Sequence, residues 1–342
     1  MEEKNKITNK IALNKNIIIA ITFCLFFLAV GLIVGYYSFY AINTTIRHVF
    51  AVRQGGYKFI NPLLECDIEI GEVGNTGLLK LKKKLTDFID KKIGDNSIIS
   101  AAVYLRDLNN GPWVGVNEKT NFAPASLLKV PIMIAYFKEA ESDPGLFKKE
   151  LTFKEKSDNV APDFVPTKTL TLGQSYTVED LINRMIIYSD NDAKNLLLMN
   201  INQKTLDQCY ADLGISIPNI RTPNDYMSVK EYASFFRILY NASYLDRQFS
   251  EKALSILVQS NFRDGLTAGV NGDIMVAHKF GERAESVGGK EIDELHDCGI
   301  VYYPNHPYLL CIMTKGVDFT KMSETIKQIS ALTFAEIQSE KN

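Results

Sequence analysis

Phe122-Ala-Pro-Ala-Ser-Leu-Leu-Lys-Val-Pro131 holds the only S-x-x-K of the chain, with Ser126 followed three residues later by Lys129. A serine hydroxyl is a poor nucleophile at neutral pH and needs a neighbour to take its proton. On a helix, residues three apart share a face, so the Lys129 amine can stand beside the Ser126 hydroxyl. If Ser126 opens that helix, its own N–H is one of the first-turn donors without an intrahelical partner, available to a developing oxyanion. Ser and Lys at this spacing are common on helix surfaces, so the reading rests on what accompanies them.

Two further elements accompany them. Ser189-Asp190-Asn191 comes straight after an apolar, helix-like run at 178–188, and Lys279-Phe280-Gly281 lies in the strand-like run Ile274-Met-Val-Ala-His-Lys-Phe280. In order and approximate spacing the three resemble the S-x-x-K, S-D-N and K-T-G set of class A β-lactamases and penicillin-binding proteins. Met185-Ile-Ile-Tyr-Ser-Asp-Asn-Asp-Ala-Lys-Asn-Leu-Leu-Leu198 is similar to that family's second-motif helix. Asp297-Cys-Gly-Ile-Val-Tyr-Tyr303 and Tyr308-Leu-Leu-Cys-Ile-Met-Thr-Lys-Gly316 are similar to the strands after its third motif. The resemblance runs from about residue 78 to the C-terminus. Ser157-Asp158-Asn159 repeats the second motif in a polar stretch without a preceding helix, and Thr314-Lys-Gly316 reverses the third; neither is taken as a site.

The resemblance implies that Ser126 attacks an amide or β-lactam carbonyl to form an acyl-enzyme, with Lys129 as proton acceptor. It implies Ser189 as relay to the leaving nitrogen, Asn191 as contact for the acyl side chain, and Lys279 as positive charge for a substrate carboxylate. The oxyanion hole falls to the N–H groups of Ser126 and Glu282, the residue after Gly281. Each such donor can be worth about 3 kcal/mol. The chain departs from the family twice. Phe280 stands where a Thr hydroxyl is usual, which predicts a narrowed or reshaped pocket. Class A β-lactamases also carry a Glu between the second and third motifs that activates the hydrolytic water, whereas Leu213-Gly-Ile-Ser-Ile-Pro-Asn-Ile-Arg-Thr-Pro223 has no acid. The next Glu, Glu231, reads as the partner of Ser228 in a capping box opening a helix at 229–240. Asp192 reads as favouring a helix start through its dipole, and Asp225 as a turn residue. Three functional readings follow: β-lactam hydrolysis, processing of a D-Ala-D-Ala peptidoglycan stem peptide, and a non-catalytic sensor of wall fragments or β-lactams.

The remainder of the chain sets the frame. With 342 residues, 46% hydrophobic, 23% charged and a net charge of −2, it suits one large domain with an appendage and carries no electrostatic footprint for nucleic acid. No phosphate-binding glycine loop, H-E-x-x-H or C-x-x-C occurs, so neither a cofactor nor a metal is expected. An uncharged apolar run at 17–40 is long enough to span a bilayer. It reads as a transmembrane signal anchor behind a cytoplasmic tail (1–16), followed by a juxtamembrane linker (41–76) and the hydrolase domain (77–342). Lys4, Lys6, Lys10 and Lys15 precede the run and Arg47, Arg53 and Lys58 follow it, a slight positive-inside bias. The resemblance, with its wall or antibiotic substrates, implies a catalytic domain outside the cytoplasm. Cys298 and Cys311 sit in apolar runs as small buried residues, a disulfide being left open.

The domain itself predicts an amphipathic helix at 78–93 and a hairpin of 98–106 with 113–117 about Asn110-Gly111. A helical middle, three strands and a C-terminal helix at 323–340 complete it. This is an α+β pattern, β-lactamase/transpeptidase-like: an antiparallel sheet from both chain ends, flanked by helices, with an inserted helical region.

Overall fold

A computed structural model describes residues 21–37, 50–67, 76–109, 111–156, 164–218, 224–287 and 290–339. The chain forms two units, Met1–His48 with Glu69–Gly74 and Val49–Ile68 with Asn75–Asn342. In the first, residues 21–37 are helical and exposed throughout. Among the described residues no helix is long and apolar enough to cross a membrane. The apolar run at 17–40 continues past this helix at both ends, beyond the described residues. Asn110 and Ser157-Asp158-Asn159 also lie outside them.

The second unit is built on a five-stranded antiparallel sheet. Its strands are β1 (Ser100–Asp107), β2 (Trp113–Val116), β3 (Val276–Val287), β4 (Lys290–Val301) and β5 (Tyr308–Gly316), in the order β2-β1-β5-β4-β3. β1 pairs directly with β5, which closes the two ends of the domain on each other and leaves β3 at an edge. The run Ala101–Leu105 of β1 is buried on both faces, as a central strand between two helical layers requires.

Alternate residues face opposite layers. On one side Val103, Leu105, Leu310 and Ile312 meet α1 (Thr76–Gly94) through Leu81, Leu85 and Ile89, and the C-terminal helix through Ile326 and Ile329. On the other side Tyr104, Cys298, Cys311 and Met313 join the core of the inserted helices. These are α2 (Lys129–Ala140), α3 (Val178–Ile187), α4 (Asn191–Leu198), α5 (Gln203–Asp212), α6 (Val229–Tyr240) and α7 (Arg247–Leu257). α2 is buried along almost its whole length, so it is the pillar about which the others pack. Pro131 is tolerated because it sits in the first turn, where its missing N–H has no partner to lose.

The sequence-derived elements fall close to those observed. The C-terminal helix, α8 (Phe319–Ser339), starts earlier than expected because Asp318 accepts the Lys321 N–H at 3.0 Å and caps it. β3 and β4 extend beyond the runs read from the sequence as one long hairpin. Val49–Ile68, read as linker, belongs to the compact unit. Phe59 and Ile60 are buried, and the Glu251 carboxylate accepts the N–H groups of Lys58, Phe59 and Ile60. Cys298 and Cys311 are register partners on β4 and β5 and face each other as a cross-strand disulfide pair.

Candidate active site

Ser126 lies in a 3-10 turn, Ala125–Leu128, that runs without a break into α2 at Lys129. The residue before it, Ala125, is left-handed at φ 49°. That conformation is unfavourable for a residue with a Cβ and persists only where the surroundings hold it. Ser126 is half-buried, whereas Lys129 is completely buried.

The Lys129 Nζ has four oxygen neighbours: Ser126 Oγ at 2.9 Å, Ser189 O at 2.6 Å, Ser189 Oγ at 2.9 Å and Asn191 Oδ1 at 2.8 Å. The Ser189 carbonyl and Asn191 Oδ1 can only accept. A neutral amine spends its two N–H bonds on them and keeps its lone pair for a hydroxyl. Burial is the first cause of a Lys129 pKa well below the usual lysine range, and the positive charges of Lys279 and Lys194 push it the same way. Both the contacts and the electrostatics favour the unprotonated amine, the form able to take a proton from Ser126.

The second motif divides its three side chains among three tasks. Ser189 stands between α3 and α4 in a left-handed conformation, φ 55°, which turns its hydroxyl and its carbonyl toward Lys129. Asp190 is the N-cap of α4, accepting the N–H groups of Asp192 and Ala193 at 2.8 and 3.2 Å, and burial pushes its carboxyl above the usual range. Asp192, read as favouring this helix start, lies in its first turn behind that cap. Asn191 opens the helix and presents Oδ1 to Lys129.

Lys279 and Gly281 lie two apart on the edge strand β3 and share the face toward the Ser126 turn. A Cβ on Gly281 would stand 3.0 Å from Leu127 N and Pro124 O, so only glycine lets the strand approach the turn this closely. The Lys279 Nζ donates to Ser189 Oγ at 3.1 Å and to the Phe280 carbonyl at 2.8 Å. It is fully buried, and burial lowers its pKa to about 7. Ser189 Oγ therefore bridges two lysine nitrogens.

Phe280, expected to narrow or reshape the pocket, packs against Lys279 of this cluster and against two aromatic rings. It alternates to the opposite face of β3, is 1% exposed, and stacks on Phe262 at 4.3 Å with Phe164 edge-on at 4.7 Å. The Lys279 Nζ lies over the ring, 4.0 Å from its centroid, so the aromatic face meets a lysine of the cluster. The Glu282 carboxylate accepts the Phe164 N–H at 3.2 Å. Phe164 and Phe262 were not singled out from the sequence, because lone aromatics in loops give no signal until the fold stacks them.

The acids near the site have other work. Glu231 and Ser228 form both arms of the capping box, as their spacing predicted. Asp225 pairs with Lys315. Among the described residues no three His, Cys, Asp or Glu side chains are grouped to hold a metal.

The sequence model of the beta-lactamase enzyme family matches residues 80–337. No curated protein matches the sequence. Solved structures with the same fold include PBP-A, at 22% identity and TM-score 0.63 over 77% of this chain and 97% of that one. A β-lactamase from Xanthomonas campestris pv. campestris is similar at 18% identity and TM-score 0.63, covering 75% of this chain and 98% of its own. A class A β-lactamase from Mycobacterium abscessus is similar at 20% identity and TM-score 0.63, covering 75% and 99%. A variant of PBP-A is solved as an acyl-enzyme complex with penicillin G. With the motif residues gathered on this fold and the family's sequence model spanning most of the domain, the chain belongs to the beta-lactamase enzyme family, as a serine hydrolase resembling its class A members.

Proposed function

We propose that Ser126 opens the amide of a β-lactam to form an acyl-enzyme whose hydrolysis is slow. The observation that carries this reading is the placement of a buried, neutral-leaning Lys129 amine 2.9 Å from the Ser126 hydroxyl. In the proposed step the Ser126 Oγ–C bond forms and the carbonyl C–N bond breaks. The Ser126 proton passes to Lys129 and returns through Ser189 to the leaving nitrogen, along contacts of 2.9 Å. Lys279 offers charge to a ligand carboxylate, and Asn191, with Oδ1 taken by Lys129, offers its amide N–H to the acyl group. The N–H groups of Ser126, in the first turn of its helix, and of Glu282, on an edge strand, are assigned to the oxyanion.

Slow release follows from the acid-free segment 213–223, with Glu231 and Asp225 engaged elsewhere. The same segment favours a second reading, a penicillin-binding protein that processes D-Ala-D-Ala stem peptides and is trapped by β-lactams. Intact-mass spectrometry of the full chain with benzylpenicillin is expected to show one adduct that outlasts the mixing, and none for Ser126→Ala. Rapid, steady nitrocefin turnover would reject slow release. Cleavage of a stem pentapeptide would favour the second reading, and absence of any adduct would reject both β-lactam readings.

We further propose that residues 17–40 anchor the chain in the cell membrane as a single pass, with the hydrolase domain outside the cytoplasm. The support is the uncharged apolar run itself, helical and exposed over 21–37, together with the proposed substrates. The native protein is expected to stay with the membrane pellet after alkaline carbonate extraction. Its release into the supernatant would reject the anchor.

A further inference from the structure

The turn that carries Ser126 is gripped from an unexpected direction. Ala123, three residues ahead of the nucleophile, has both of its backbone groups held by side chains of β4. The Glu294 Oε2 accepts the Ala123 N–H at 3.0 Å, and the His296 Nε2 lies 2.9 Å from the Ala123 carbonyl. Residues two apart on a strand point the same way, which lets one strand supply the acceptor and the donor together. Their partners lie 171 and 173 residues away in sequence.

The chemistry of the pair is settled by its contacts. The His296 Nδ1 accepts the Thr314 N–H at 3.3 Å, so its proton sits on Nε2, facing the Ala123 carbonyl and the Glu294 Oε2 at 3.1 Å. The other Glu294 oxygen, Oε1, meets the Lys315 ammonium at 3.1 Å, and Lys315 reaches on to Asp225. Against burial, the hydrogen bonds of His296 and Lys315 and the Lys315 charge hold the Glu294 carboxyl below its usual range. Both groups are buried, and every polar atom of each has a partner in this network. Neither has a position left over for substrate.

Ala125 is the reason such a grip matters. Its left-handed backbone sits between Pro124, which has no N–H to contribute, and Ser126. Downstream, the turn is held by the Leu127 N–H on the Pro124 carbonyl at 2.9 Å, by the Tyr232 hydroxyl on the Leu127 carbonyl at 2.9 Å, and by the close approach of Gly281. Upstream, Glu294 and His296 hold Ala123. We propose that Glu294 and His296 are positioning residues that clamp the Ala123 peptide groups and so fix the strained turn presenting Ser126 to Lys129. This rests on the reading of Ser126 as the nucleophile.

The test compares Glu294→Met, which removes the acceptor while filling the space, with Glu294→Gln, which keeps an acceptor for the Ala123 N–H. In the full chain, Glu294→Met is expected to lower the maximal benzylpenicillin acylation rate by ~10-fold or more at unchanged apparent affinity, since a small misplacement of reacting groups costs rate rather than binding. Glu294→Gln is expected to recover most of that rate. Amide exchange at Ala123 supplies a readout independent of chemistry: slow in the wild type and in Glu294→Gln, fast in Glu294→Met while the amides of α2 stay protected. Wild-type acylation by a folded Glu294→Met, or an Ala123 amide that exchanges no faster, overturns the clamp. A wild type that forms no Ser126 adduct counts against the nucleophile, and the clamp then stands or falls on the Ala123 amide. Global loss of α2 protection in Glu294→Met transfers the test to His296→Asn, which keeps a donor and an acceptor. His296→Asn with an unprotected Ala123 amide and unchanged acylation also overturns it.

Discussion

Lys129→Met is expected to slow formation of the Ser126 adduct by about 10³-fold, the usual contribution of a positioned base. Among the described contacts no other amine reaches Ser126. Lys279, the other buried lysine of the cluster, reaches Ser189 and not Ser126 among the contacts described. The replacement also strands two acceptors, the Ser189 carbonyl and Asn191 Oδ1, so thermal unfolding must accompany the rate to separate lost chemistry from lost fold. A folded Lys129→Met that acylates within tenfold of the wild type would remove Lys129 from the role of base.

The pH dependence of acylation carries a sign for each lysine. Burial lowers the Lys129 pKa, which favours the neutral amine, and the rate falls as acid protonates it. The Lys279 pKa is also lowered, to about 7, so it is charged below that value and loses its charge above it. A carboxylate-bearing ligand such as benzylpenicillin is therefore expected to show a bell-shaped second-order rate in the free enzyme. An uncharged ester donor should show the acid limb alone. A bell of equal shape for both ligands would mean that Lys279 does not meet the carboxylate.

Phe280→Thr is expected to destabilise the domain by about 3 kcal/mol, the scale of removing a buried aromatic side chain. For a domain of this size that corresponds to a fall in Tm of roughly 6–12 °C. The ring is stacked on Phe262, edged by Phe164 and completely enclosed, so its loss leaves a cavity that neither neighbour can close without leaving the other. Acylation per folded molecule should change less than tenfold, because the ring meets the cluster through Lys279 and no contact with Ser126 is described. An unchanged Tm would mean that the aromatic stack contributes nothing. A large gain in benzylpenicillin acylation would mean that Phe280 narrows the pocket, as its place in the third motif suggests.

Phe280 and Glu294 show where sequence reading stops. The run 274–280 was recognisable as a strand, but which of its faces meets the nucleophile depends on the pairing of β3 with β4 and on its place at the sheet edge. Until that is known, neighbouring residues such as Lys279 and Phe280 are equally good candidates for the site. Glu294 and His296 had no local mark at all, since a carboxylate and an imidazole in a strand look like solvent-facing residues until both faces are covered. Phe59 and Ile60 were read as linker for the same reason: their burial comes from contacts with α7 and with Tyr302, far along the chain.

Short-range physics was readable directly. The Ser228–Glu231 capping box, the 3.6-residue spacing of Leu81, Leu85 and Ile89, and the Ser126–Lys129 pair each concern residues within one or a few turns, so the amino-acid order alone determined them. Tertiary structure decided the protonation tendency of Lys129 and the grip on Ala123. Each of these depends on burial and on partners brought from 60 to 173 residues away, and desolvation has no local sequence signature.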